Sequence, residues 1–355
     1  MLLIIFLGLE TIRTNEFAIT PGNATPVAPL VKIAGVATNP HHDKIMLADV
    51  YLQQLTLWDW IGFHFQSHVQ YLGTNQVVEP GISTQELEAQ GFLQMSDAKQ
   101  AAEAAAFRAI GWTIPATNSG TVINGVIAPS PAKTTGLHVG DEIVGVNEST
   151  IRTECQLISY THDLAPGTAL TLKVERVTIS NQGVLSYSST SSVKLTTGTV
   201  PNLEVGSSGC PGVSGIEKSF LGVQLEDGFD FKLPATVSIN TADIGGPSAG
   251  LAMTLTLINE LSRGSLTGHH VIAVTGTIDA QGNVGPVGGV EEKTVAVHRA
   301  GAKYFFVPDG GGDVAAARDA HQPDLKIIPV TTLQQVLRDL QALGGTKPQA
   351  LTKPS

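Results

Sequence analysis

Over residues 236–343 strand-type and helix-type segments alternate, and no other feature restricts the possible fold as tightly. Strand-type runs at 236–240, 271–275, 304–307 and 326–330 are separated by helix-type runs at 248–263, 290–300, 314–320 and 333–343. The chain of 355 residues is too long for one ordinary core, which points to two or three domains. An apolar fraction of 42% with 15% charged residues belongs to a foldable chain, so disorder is confined to short stretches. The expected fold class is α+β.

Residues 1–9 read MLLIIFLGL, far short of the roughly 20 apolar residues that a spanning helix needs. They read either as a buried strand or, over 1–10, as the remnant of a membrane anchor. Residues 11–110 form an N-terminal segment ending in a long helix. Within it, β-rich runs at 27–33 and 44–52 flank an aromatic stretch at 55–65, whose Trp58, Trp60, Phe63 and Phe65 read as core. Ser83 and Glu86 form a capping box ahead of the helix-forming run DAKQAAEAAAFRAIG, which Gly111 stops. Residues 111–197 show short strands broken by turns and one helix at 153–164, 198–215 read as a linker, 216–345 as the alternating unit, and 346–355 as a frayed tail.

Several functional classes are excluded at this level. Acidic residues outnumber basic ones, 31 to 21, and no Lys/Arg cluster tracks a phosphate backbone, so no nucleic acid is expected as partner. No G-x-x-x-x-G-K-[ST] loop occurs, so no nucleotide is bound by this chain. The adjacent histidines at His41-His42 and His269-His270 cannot share one helical face, and no metal site or cofactor is expected. Cys155 and Cys210 read either as one disulfide or as two core thiols.

Two segments carry chemistry. In Gly245-Gly246-Pro247-Ser248-Ala249-Gly250 a serine stands at the first turn of a helix, where small neighbours (Gly246, Pro247, Ala249) let a substrate backbone approach and helix-start amides face a developing oxyanion. Alone, this pattern describes an N-cap serine in a glycine-rich loop. The second segment is GNVGPVGGVEEK at 282–293, after Thr275-Gly276 at a strand end and before HRAGAKYFFVP. Together these motifs resemble the Lon peptidase domain over about 221–343. The resemblance implies a catalytic pair, Ser248 and Lys293, with Thr275 helping to hold the lysine amine. A lysine is a general base only when neutral, and burial lowers its pKa toward the working range. Typical Lon domains carry acids where this chain has Gly245 and Thr277, which implies a less anionic site.

The run SPAKTTGLHVGDEIVGVN resembles a PDZ domain. That implies a peptide groove between the strand after Gly111 and the helix bearing Gln156, Leu157 and Tyr160, with a carboxylate loop near Gly111 and Trp112. The combination resembles bacterial PDZ-containing, membrane-anchored Lon-like peptidases. It implies an ATP-independent serine endopeptidase acting on polypeptides, anchored at the plasma membrane with its catalytic part outside the cytoplasm, and assembly of copies into a ring. Two other readings compete. G-x-S-x-G at 246–250 with Asp313 and His321 fits an α/β-hydrolase esterase, and the PDZ unit alone fits a non-catalytic binding module.

Overall fold

The structure is a computed structural model that describes residues 12–39, 43–78, 82–180, 185–199, 209–213, 218–242 and 244–352. The apolar run at 1–9 and the pair His41-His42 lie outside the described residues. In chain order the principal elements begin with β1 (Arg13–Pro26), β2 (Lys44–Thr56), α1 (Leu57–Phe63), β3 (Gln70–Gly73), α2 (Thr84–Ala109), β4 (Ala116–Val126), β5 (Glu142–Val146), α3 (Glu154–Thr161), β6 (Ala169–Glu175) and β7 (Ser191–Thr196). They continue with β8 (Val223–Phe231), β9 (Thr236–Ile239), α4 (Gly250–Leu261), β10 (Val271–Val274), α5 (Val290–Arg299), β11 (Tyr304–Pro308), α6 (Asp313–Asp319), β12 (Lys326–Val330) and α7 (Leu333–Ala342).

The chain folds into two compact units, one comprising Met1–Val77, Met95–Ile114 and Leu233–Ser355, the other Val78–Gln94 and Pro115–Lys232. The second is therefore inserted in the sequence of the first at two places, on either side of Met95–Ile114. In the first unit the sheet order is β12-β11-β10-β2-β1-β3. Strands β12, β11, β10 and β2 are parallel, with Leu47 of β2 opposite Val274 of β10, while β1 pairs antiparallel with both β2 and β3. Segment 11–110 is thus no domain of its own: its strands complete the sheet of the alternating unit.

The reason lies in β2, where Ile45, Met46, Leu47 and Ala48 are all buried. Alternate side chains of a strand face opposite sides, so four buried residues in a row require cover on both faces. Met46 and Ala48 pack with Val290, Val297 and Phe305; Leu47 faces the other way, and α4 also packs against β2. Helix α4 is buried at every residue except Glu260, as expected of a helix that is apolar all round.

The inserted unit has the sheet order β7-β6-β5-β4-β8 over a core that includes Ile123, Leu137, Ile143, Leu157 and Leu172. Strand β8 lies in the stretch that the sequence assigns to 216–345, yet it pairs along its length with β4 in this other sheet. Its residues alternate like any half-buried strand, so nothing local marks which sheet receives it. Cys155 on α3 is joined to Cys210 by a disulfide, with Cα atoms 5.3 Å apart. The capping box forms as read: Glu86 N donates to Ser83 Oγ at 3.2 Å and Ser83 N to Glu86 Oε2 at 2.9 Å.

The aromatic stretch at 55–65 is not core. Leu55 is fully buried, but Trp58 and Trp60 are each 39% exposed and Phe65 is 87% exposed. Helix α1 is short and contributes no buried residue, and the Trp60 indole is satisfied by Glu16 Oε2 at 2.9 Å. Among the described residues no helix is long and apolar enough to cross a membrane. Leu47→Ala is expected to destabilise the first unit by about 2–5 kcal/mol, whereas Phe65→Ala should change stability by less than about 0.5 kcal/mol. Urea unfolding followed by tryptophan fluorescence distinguishes the two.

Candidate active site

Strand β9 ends at Ile239, and the chain reaches a 3-10 turn, Pro247–Ala249, that leads directly into α4. Ser248 therefore sits at a helix start and not on a strand-to-helix elbow. It is partly exposed, whereas Ala249 and Gly250 behind it are buried. The end of β10 grips this turn: Gly276 N donates to Ser248 O at 3.0 Å, Leu251 N donates to Gly276 O at 3.2 Å, and Thr275 Oγ1 donates to Ser248 O at 3.4 Å. The first N–H groups of a helical turn have no partner within it, so the Ser248 amide at the start of the Pro247–Ala249 turn is placed to serve as an oxyanion donor. Pro247 has no N–H and supplies only the shape of the turn.

Lys293 reaches the same point from α5. Its helix starts after Gly289, which has φ +65 and whose missing Cβ would lie 3.0 Å from Val50 and 3.2 Å from Ile19. A residue with a side chain would be strained there and would push β1 and β2 away from the helix. One turn on, Lys293 is only 3% exposed. Its Nζ donates to Ser248 Oγ at 2.9 Å and to Thr275 Oγ1 at 3.4 Å. The three residues singled out in the sequence, from three separate elements, meet in one hydrogen-bonded group.

Burial pushes the Lys293 amine down to about 8, while the negative charges of Asp313 and Asp49 oppose that fall. Neither acid was assigned to the Ser248–Lys293 pair from the sequence. Asp313 opens α6, is buried, and accepts the Val287 amide at 3.0 Å; burial raises its carboxyl above the ordinary range. Asp49 lies on β2 just past the pairing of Leu47 with Val274, and it accepts the Asn23 amide at 2.7 Å. Two acids from elsewhere in the fold thus act on the amine, although Gly245 and Thr277 carry no charge. Asp49 is more than 240 residues away in the chain from Lys293, and nothing local in the sequence links the two. The esterase constellation does not form: Asp313 accepts from Val287, and the exposed His321 turns its Nδ1 to the Asp319 carbonyl.

The peptide groove differs from the sequence reading. Gly111 and Trp112 belong to the first unit, where the Trp112 ring meets Phe107 edge-on at 6.4 Å. They take no part in a loop of the inserted unit, because Gly111 ends α2 and Trp112 finds an apolar site beside Val36, Ile110 and Leu261. Gln156, Leu157 and Tyr160 do lie on α3, with Leu157 in the core and Tyr160 packed against it. The strand beside α3 that ends the sheet is β8, which follows the whole inserted stretch in sequence. One end of α3 is tied to the segment ahead of β8, since Lys218 N donates to His162 O at 3.2 Å; its other end is capped from β8, since Glu154 N donates to Asp227 Oδ1 at 2.7 Å. Val223 and Leu225 of β8 pack on the same core as Tyr160 and Leu164.

Two family models match parts of this chain. Residues 239–343 match the Lon protease (S16) C-terminal proteolytic domain, and residues 93–186 match the PDZ domain. A Lon protease of Chloroflexus aggregans is 38% identical over 96 residues, covering 26% of this chain and 11% of that protein. The Lon protease of Azospirillum brasilense is 35% identical over 112 residues, 30% of this chain and 14% of its own length. This chain therefore spans only a small part of these relatives. A solved PDZ domain of an SdrC-like protein from Listeria monocytogenes aligns with 15% identity and a TM-score of 0.23, over 31% of this chain and 90% of that one. The chain carries a Lon-type proteolytic domain and a PDZ domain.

Titration of Lys293, followed through its Cε resonance by NMR, is expected to have a midpoint near 8. Asp313→Asn removes a negative charge that favours the ammonium form, so the midpoint should move to lower pH and more of the amine should be neutral at pH 7. A midpoint that stayed in place or rose would show that Asp313 exerts no field on the amine.

Proposed function

We propose that the protein is an ATP-independent serine endopeptidase in which Ser248 is the nucleophile and Lys293 the general base. One observation carries this reading: the buried Lys293 amine lies 2.9 Å from Ser248 Oγ in a Lon-type proteolytic domain. With its pKa pushed down to about 8, a useful fraction of the amine is neutral at pH 7. It takes the proton of Ser248 Oγ as the oxygen attacks a peptide carbonyl carbon, and the carbonyl electron pair moves onto oxygen facing the Ser248 amide at the helix start. The ammonium then gives its proton to the departing amine as the C–N bond breaks, leaving an acyl ester on Ser248. Water repeats the sequence in reverse roles, releasing the acid and restoring the serine. Thr275 holds the lysine amine on its line to Ser248.

The absence of a nucleotide loop in these 355 residues supports ATP independence. Without a motor such an enzyme takes chains that are already loose, and the PDZ unit captures them by an extended segment added at the edge of β8. An extracytoplasmic location at the plasma membrane belongs to the same reading. The Cys155–Cys210 disulfide supports the oxidising compartment, because such bonds persist outside the cytoplasm. The anchor and a ring of several copies rest on the resemblance alone.

Ser248→Ala and Lys293→Met are each expected to lower hydrolysis of an unstructured protein such as casein by about 10²–10⁴-fold or more with circular dichroism unchanged. Labelling by a fluorophosphonate should vanish in Ser248→Ala, and added ATP should change no rate. Full activity in Lys293→Met would remove the lysine from the mechanism, and persistent labelling in Ser248→Ala would remove the serine.

A further inference from the structure

The groove between β8 and α3 has two ends of different chemistry. At the end ahead of β8, Leu221 O accepts from Ala132 N and Gly222 O accepts from Ile127 N, both at 2.9 Å. In a trans peptide the N–H points opposite the carbonyl it shares a plane with, so the amides of Gly222 and Val223 are directed away from those partners. Gly222 is required here: it has φ +84, and a Cβ would lie 2.1 Å from that of Ser130. Two successive amides turned outward beside apolar Tyr160, Leu164 and Val223 suit a chain-terminal carboxylate preceded by an apolar side chain.

The other end is acidic. Glu226 and Asp227 lie three and four residues along β8, about 10–13 Å from Val223, and Glu154 sits opposite at the start of α3. Leu225 and Asp227 point toward α3, whereas Glu226 points to the other face of the sheet, where its partner Val122 packs with Leu93. An added strand alternates in the same way, so its side chains pass these carboxylates on both faces. Among the described residues none of the three forms an ion pair with Lys or Arg. The nearest cation along the chain, Arg152, donates to the Ser119 carbonyl at 3.4 Å and its field acts on Glu142, itself beside Glu175 and Asp230. The uncompensated repulsion is visible in the acids themselves. Burial and then the charge of Asp227 raise the Glu154 carboxyl, and burial and then the charge of Glu154 raise that of Glu226.

We infer that this groove selects polypeptide C-termini that end in an apolar residue and carry Lys or Arg three or four positions before the end. The inference rests on the reading of the PDZ unit as the capture site. A basic side chain there would meet three carboxylates of which none has a Lys or Arg partner, although Asp227 accepts from Glu154 N at 2.7 Å and Asn118 Nδ2 at 3.3 Å, and an acidic one would add to their repulsion. The selected substrates are loose, basic protein tails.

The test uses the full chain with Ser248→Ala, so that nothing is cleaved, and fluorescein-labelled octapeptides ending in valine. Fluorescence polarisation compares peptides with two lysines, two alanines or two glutamates at the third and fourth positions before the terminus. The lysine peptide is expected to bind about five- to tenfold more tightly than the alanine peptide and the glutamate peptide more weakly still. Glu154→Gln combined with Glu226→Gln should abolish the lysine advantage while leaving alanine-peptide binding unchanged, which also reports that the groove stays folded. A C-terminal amide on the lysine peptide should bind at least about tenfold more weakly than the free acid. Equal binding of lysine and alanine peptides, an advantage that survives the double variant, an amide that binds as well as the acid, or no binding at all would overturn the inference. Casein hydrolysis by the unmodified protein is read separately, so loss of this selectivity and loss of the peptidase reading are distinct outcomes.

Discussion

The burial of one amine against one hydroxyl organises the first unit. A lysine taken out of water must either lose its proton or find opposite charge, and the Lys293 site combines the two tendencies. Burial lowers its pKa to about 8, and the fields of Asp49 and Asp313 keep the fall from going further. The amine is thereby left near the range where it can both accept and return a proton. Everything that brings Lys293 to 2.9 Å from Ser248 follows from this need: the close approach of β1 and β2 at Gly289, the buried helix α4 behind the serine, and the end of β10 that holds the turn.

The N-terminal strands are part of that arrangement and not an accessory to it. Strand β2 is the neighbour of β10 in the parallel part of the sheet, so its residues past Leu47 reach the region where β10 ends in Thr275 and Gly276. Catalytic side chains collect at such carboxyl ends of parallel strands because loops there are free to vary while the sheet stays rigid. The Lon-type match begins at residue 239 and leaves these strands out, yet the sheet is incomplete without them. The inserted unit shows the same economy of topology. Its edge strand β8 is the last part of the unit in the chain, and the Cys155–Cys210 bond ties α3 to the stretch that leads back toward β8.

Much of the candidate site was legible because its motifs are local. The Gly-Gly-Pro-Ser turn, the Thr-Gly strand end and the Gly-Gly before Lys293 each demand a backbone shape that few other residues permit, and it is their joint resemblance to the Lon peptidase domain that points to Ser248, Thr275 and Lys293. The PDZ-like run and the Ser83–Glu86 box were readable for the same reason. Neighbours in sequence need not be partners in space. Gly111 and Trp112 were placed in the groove because they precede β4, whereas the strand beside α3 arrives more than 100 residues later. The tryptophans of α1 are apolar enough to suggest core, but this short helix buries none of its residues and leaves both rings partly exposed.

By itself the sequence determined the local turns that hold the candidate residues, since glycine, proline and capping residues act through bonds to atoms a few positions away. It also determined that strands and helices alternate, because periodicity is a property of adjacent residues. Tertiary structure alone decided which sheet each strand joined, that Cys155 pairs with Cys210, and that Asp49 and Asp313 set the charge around Lys293. These depend on burial and on fields between groups far apart in the chain, and a strand carries no mark of its neighbour until both have given up their water to the same core.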